Sequence, residues 1–222
     1  MLIDKFPDVW GAIDCTHVVV KPKQEVATLF YDRKGNTSLN VQAVVGPEMR
    51  ILHFVNRHPG SAHDSRIFRN SSLYALLESQ PPAGHLLGDA GYACAPYLLT
   101  PFRVRGNNVS SLTPAQQRYQ KSHARTRNVI ERFFGAWKSK FQCLKGMRLS
   151  LQNSVYVVNA CAFLWNFLID EKEPLLPEEE AGRDDYVEES NAGDSSHSTG
   201  RRRSPGDAKR EELVRTHFSL LI

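Results

Sequence analysis

One stretch constrains this chain more than any other: Trp10-Gly11-Ala12-Ile13-Asp14-Cys15-Thr16-His17-Val18-Val19-Val20. Its aromatic, small and β-branched residues read as a buried strand, yet a carboxylate sits in the middle of it. Burying that carboxylate is costly unless a cation or hydrogen bonds compensate it. Two readings follow. Asp14 is either a strand-end acid bonded to a neighbouring loop, or a metal ligand or general base. The segment alone does not decide; other acids in similar settings would.

Acids are scarce in most of the chain. Residues 1–170 hold 20 Lys and Arg against 11 Asp and Glu, or +9, whereas residues 171–222 hold 8 against 13, or −5. The first part is therefore basic, as suits a protein that meets a polyanion. With 222 residues and 41% hydrophobic content, the chain is long enough for one domain with a sizeable core. No apolar run approaches the length of a membrane span, and the first residues lack the pattern of a secretory signal, so no membrane partner is expected. Cys15, Cys94, Cys143 and Cys161 are scattered without a Cys-x-x-Cys pair. They are expected to be reduced thiols and not a zinc site.

Along the chain, residues 1–8 are a lead-in and a first strand spans about 9–20. A polar loop follows over 21–36. Residues 39–45 and 51–55 read as two further antiparallel strands joined by the Gly46-Pro47-Glu48-Met49 turn. Asp64 or Ser65 is expected to cap a helix carrying Ile67, Phe68, Leu73, Leu76 and Leu77. Residues 85–89 read as a short buried strand closing on Asp89, and the stretch to Ser111 as irregular. Thr113 and Pro114 open a long helix through Phe141, and an apolar helix occupies about 152–169. The expected organisation is thus a lead-in over 1–8, an α/β domain over 9–170 built on a mixed sheet flanked by helices, and a disordered charged tail over 171–222. Within that tail, residues 213–222 are compatible with a short amphipathic helix.

Four acids fall at element junctions: Asp14 in the first strand, Asp64 after the third, Asp89 at the end of the fourth, and Glu131 in the long helix. Carboxylates converging from strand ends and a helix are the hard oxygen donors that Mg²⁺ or Mn²⁺ requires in phosphoryl-transfer sites. Ile130, Phe133, Phe134, Trp137 and Phe141 form the buried stripe of the long helix, which puts Glu131 on its border. A plain surface pair with Arg127, one helical turn away, is the competing reading for Glu131. His17 and His63 lie near Asp14 and Asp64, where hydrogen bonding to an acid is favoured over zinc ligation.

Four segments together, Gly11–His17, Pro59–Ser65, Leu87–Tyr92 and Asn128–Lys138, resemble the motifs of the PIF/Harbinger transposase-derived nucleases, members of the DDE superfamily of endonucleases. The resemblance covers about residues 7–170 and implies an RNase H-like fold. It implies that Asp14, Asp89 and Glu131 form a catalytic triad and that these three and Asp64 bind a divalent cation, Mg²⁺ or Mn²⁺. Asp64 would be a ligand, an orienting group or a helix cap. The implied reaction is two-metal hydrolysis of DNA phosphodiester bonds. Arg127, Arg132 and Lys138 are expected to hold the DNA backbone.

The family normally carries a helical, DNA-binding-type region before the first catalytic strand, and this sequence starts close to that strand. Target recognition is therefore expected to depend on a Myb-like DNA-binding partner, and the nucleus is the expected location, with the cytoplasm as the alternative. A catalytically silent, domesticated DNA- or protein-binding module on the same fold is the competing reading.

Overall fold

A computed structural model of the chain describes residues 6–103, 112–174 and 204–219. Among these residues, five strands form one sheet: β1 (Val9–Val19), β2 (Ser38–Val45), β3 (Ile51–Pro59), β4 (His85–Leu87) and β5 (Leu98–Leu99). Their order is β3-β2-β1-β4-β5. The pairs β1–β2 and β2–β3 are antiparallel, while β4 and β5 run parallel to β1. This is the expected mixed α/β layer of RNase H-like type, with the Asp14 strand at its centre.

The hairpin between β2 and β3 closes where the Gly46 N–H donates to the Arg50 carbonyl at 2.9 Å and Met49 adopts a φ of 60°. Gly11 serves a different need. A Cβ there would lie 2.7 Å from the Val45 carbonyl oxygen. Next to it the β1–β4 register shifts, between Val9 and Gly11, so the bare backbone lets β1 lie close against β2 as it switches partners.

The alternation of β1 assigns its two faces. Ala12, Val18 and Val20 pack with Ile130, Phe133 and Trp137, from helix α3 (Pro114–Lys140). On the other side, Ile13 packs with Phe68, Leu73 and Tyr92. That side carries α1 (Asp64–Arg69) and α2 (Ser72–Ser79). Helix α3 starts as its sequence predicts, with Thr113 and Gln116 forming a reciprocal capping box and Pro114 in the first turn. Helix α4 (Leu151–Asp170) lies against the edge strand β3. The Asn166 side chain bonds both the N–H and the carbonyl of Ile51 at 2.8 Å, covering part of an otherwise open strand edge.

Several expectations need correction. The helix after Asp64 is broken at Asn70, with Ser71 starting α2 as its N-cap by accepting from the Tyr74 N–H. Neither Asp64 nor Ser65 caps α1: the N-cap position is His63, and it makes no side-chain cap bond. The stretch after Asp89, read as irregular, contains β5, which two Leu residues too short to show a period could not announce. The polar loop 21–36 contains a 3₁₀ turn at Gln24–Phe30.

The C-terminal stretch also departs from expectation. Residues 175–203 lie outside the described residues, but Pro205–Leu213 is a helix, α5, that continues as a wider π turn over Val214–Phe218. It docks through Val214 and Phe218 beside Phe6 and Tyr119. Arg210 binds the Thr100 and Pro101 carbonyls and lies 4.2 Å over the Phe102 ring. Ordered structure therefore begins earlier than the helix expected over 213–222, and it is held by contacts distant in sequence.

Candidate active site

The four acids come from different elements: Asp14 from β1, Asp64 from the start of α1, Asp89 from beyond β4 and Glu131 from α3. Asp14 points from β1 toward α3, where its Oδ2 accepts from Arg127 Nη1 at 3.0 Å. The second nitrogen of the same guanidinium, Nη2, donates to Glu131 Oε1 at 2.5 Å. One cation therefore joins the acid of the central strand to the acid of the long helix. Glu131 sits on the border of the helix stripe as its spacing predicts, roughly half exposed, and the turn-spaced pair with Arg127 is present.

Asp89 lies beyond the end of β4, where its Oδ1 accepts from the Gly91 N–H at 3.0 Å and so fixes the turn after the strand. Asp64 comes from the α1 side. Its Oδ1 accepts from the Asn40 amide at 2.9 Å, and its backbone carbonyl accepts from Gln42 Nε2 at 3.2 Å.

Burial and neighbouring charges both act on these carboxyls. Burial is the main cause that pushes the Asp14 carboxyl up to about 7; Arg127 pulls it down, while Asp89 and, less, Asp64 push it further up. Asp89 is also raised, by burial first and then by Asp64. Asp14 thus feels both Asp89 and Asp64, and Asp89 feels Asp64. Like charges brought together in a partly dry site disfavour joint ionisation, and a divalent cation would relieve the strain. Among the described residues, however, no three His, Cys, Asp or Glu side chains already form a group that would hold a metal ion. The donors suit Mg²⁺ or Mn²⁺ chemically, but Arg127 holds two of them.

Behind the acids is a buried polar network that the sequence reading missed. Gln42 Nε2 donates to Tyr92 Oη at 3.0 Å and to Cys15 Sγ at 3.4 Å. Asn40 Nδ2 donates to the Ala62 carbonyl at 2.8 Å as well as to Asp64. Ser38, Asn40 and Gln42 alternate along β2, which would suit a solvent-facing strand side, yet all three are buried. The available signal was the neutrality of these polar residues in a strand with no charge at all.

The other expected residues take separate places. Lys138 Nζ donates to the His17 carbonyl at 3.0 Å and tethers α3 to β1; Arg132 is exposed one residue beyond Glu131. His17 Nδ1 pairs with Ser38 Oγ at 2.9 Å and His63 Nδ1 with Arg33 at 3.4 Å. Tyr92, Trp137 and Trp165 are core residues. The four cysteines are free thiols, and Cys143 is exposed.

Comparison with known proteins adds an independent line. Residues 13–166 match the model of the DDE superfamily endonuclease family. The protein named "Putative nuclease HARBI1" from Rattus norvegicus is 30% identical over 226 residues, covering 96% of this chain and 60% of the relative. Its Homo sapiens counterpart is 30% identical over 223 residues with the same coverage. "Protein ALP1-like" from Arabidopsis thaliana is 27% identical over 201 residues, covering 80% of this chain and 47% of that protein. The chain thus spans 60% or less of the length of these relatives. No solved structure matches it. The matched stretch contains Asp14, Asp64, Asp89 and Glu131, and the chain belongs to the DDE superfamily endonucleases, among the Harbinger transposase-derived nucleases.

Proposed function

We propose that this chain is a metal-dependent DNA endonuclease of transposase descent, with Asp14, Asp89 and Glu131 as its catalytic carboxylates and Asp64 as a further metal-binding or orienting acid. The observation that supports this most is the burial of Asp14 and Asp89 near other carboxylates: burial is the main cause that raises both carboxyls, and Asp89 and Asp64 add to it at Asp14, as Asp64 does at Asp89. Such a cluster is unfavourable in a protein with no use for it. When bound, Mg²⁺ or Mn²⁺ would supply an activated water and charge neutralisation for phosphodiester hydrolysis. Asp14, rigid in the central strand, and Asp89, fixed by its Gly91 bond, would hold that charge in place. Glu131 would complete the set from α3 once Arg127 turns away.

The released Arg127 would then join Arg132 and Lys138 in contacting phosphate oxygens of DNA, which adds salt-dependent affinity without reading sequence. Recognition of a target would come from a Myb-like DNA-binding partner, and the working compartment would be the nucleus. No helix among the described residues is long and apolar enough to cross a membrane.

A second reading has its own support. Arg127 already neutralises Asp14 and Glu131, as expected of a domesticated binding module that no longer uses metal. Nicking of supercoiled plasmid DNA in Mg²⁺ or Mn²⁺ separates the two. The nuclease reading predicts cleavage that Asp89→Asn abolishes; equal background cleavage by both proteins contradicts it.

A further inference from the structure

We propose that the outer face of α4 is a two-fold seam on which a second copy of this chain docks, making the protein a homodimer. The inference starts from a mismatch between sequence and environment. From Val155 to Ile169 helix α4 is apolar except for Asn159 and Asn166, and Asp170 is its one charged residue. A helix of that kind is normally buried on every side. Here only one side is covered: Val158, Cys161, Ala162 and Trp165 are buried, while Ala160 is exposed and so are Tyr156 by 60%, Phe163 by 76%, Leu164 by 47% and Phe167 by 53%.

Tyr156, Ala160, Phe163 and Phe167 are spaced four, three and four residues apart. That is the narrow seam of a helix pair, not the broad stripe of a helix lying on a sheet. Ala160 near the middle of the seam lets two helix backbones approach, with the aromatic rings on either side filling the space. An antiparallel two-fold arrangement sets Tyr156 of one copy near Phe167 of the other. Asp170 is paired with Arg50 of its own chain, so no unpaired charge on α4 opposes self-association.

Area supports a second copy as the occupant. With aromatic side chains burying about 150–250 Å² each when fully covered, these exposed fractions bring a pair of α4 faces to about 1,000 Å². That reaches the lower bound of a specific interface. The chain's own residues 175–203 are poorly suited to cover the face, since Leu175, Leu176, Tyr186 and Val187 are their large apolar residues among many acids. The seam is formed apart from the acidic site, so the inference does not depend on nuclease activity.

Sedimentation velocity of the chain between about 1 and about 100 µM tests it. The expected result is a species of twice the chain mass at the upper end, reduced to one chain mass in Phe163→Glu and in Tyr156→Glu. Both positions are exposed, so both variants should keep the thermal melt of the dissociated wild type. A wild type that stays at the mass of one chain throughout overturns the proposal, as does a dimer that survives in either folded variant.

Discussion

The guanidinium of Arg127 binds Asp14 and Glu131 at once, at 3.0 and 2.5 Å, joining the central strand to the long helix through the two acids that a catalytic metal would use. Arg127 is therefore a structural tie and, on the proposed nuclease reading, an internal competitor for the cation. Replacing it separates these roles. Arg127→Gln should cost about 1.5–3 kcal/mol of stability in EDTA, the range for a charge-assisted bond to a mostly buried group. It should also increase the gain in melting temperature on adding Mn²⁺, because the ion no longer has to displace a cation. Differential scanning calorimetry with and without Mn²⁺ measures both.

Asn40 is a second support. Its amide donates to both Asp64 and the Ala62 carbonyl. Asn40→Ala should lower stability by about 1–3 kcal/mol, since two acceptors lose their donor in a buried setting. Urea denaturation gives the value, and a midpoint equal to wild type would show that this network does not hold Asp64.

Gly11 makes a steric prediction. A methyl at this position meets the Val45 carbonyl at 2.7 Å, and the central strands that flank it have little freedom to move. Gly11→Ala should therefore destabilise by about 1–3 kcal/mol, against the usual gain from removing a glycine in a strand. The same urea assay decides it.

A pair of buried histidines gives the fold a pH dependence. Burial lowers His85 and His123 to about 4, from an ordinary value near 6.5. Among the described residues both ring nitrogens of His85 lack a hydrogen-bond partner, while His123 Nε2 meets the Leu99 carbonyl at 3.2 Å. The charges acting on them are Lys209 and Asp8 on His85, and Arg127, His85 and Arg210 on His123. The unfolded chain takes up protons below about 6.5 and the folded chain does not until about 4. Their stabilising effect is thus full above about 6.5 and is lost as pH falls toward about 4. The raised Asp14 and Asp89 carboxyls act in the opposite sense over this range, so the histidine effect is read as a difference: between about pH 7.5 and 4.5 the urea midpoint of the wild type should fall relative to that of His85→Leu.

Much of this architecture was readable from sequence because its signals are local and periodic. The β1 pattern, the Thr113–Pro114 start of α3 and the border position of Glu131 each follow from side-chain chemistry within a few residues. What escaped depends on distant partners. β5 is two residues long and exists because Leu86 and Leu87 pair with it. The α5 helix is held by Tyr119, Phe6 and the backbone around Thr100, none of them near it in sequence. The burial of Ser38, Asn40 and Gln42 was not readable, because alternation separates the two sides of a strand without saying which of them meets water. The outer face of α4 runs the opposite way: its composition suits burial, and the described residues of one chain leave it open.

At the site itself, the acids were legible as anomalies, since each sits in an apolar or junction setting within a basic region. The role of Arg127 was not. A cation one helical turn from Glu131 is common, and only the fold brings Asp14 to its other nitrogen.

Isothermal titration of Mn²⁺ into the metal-free chain tests the central claim most directly. The account predicts saturable binding by the wild type, weakened at least about tenfold or lost in Asp89→Asn. An isotherm without saturable binding, or one unchanged by the substitution, would contradict it.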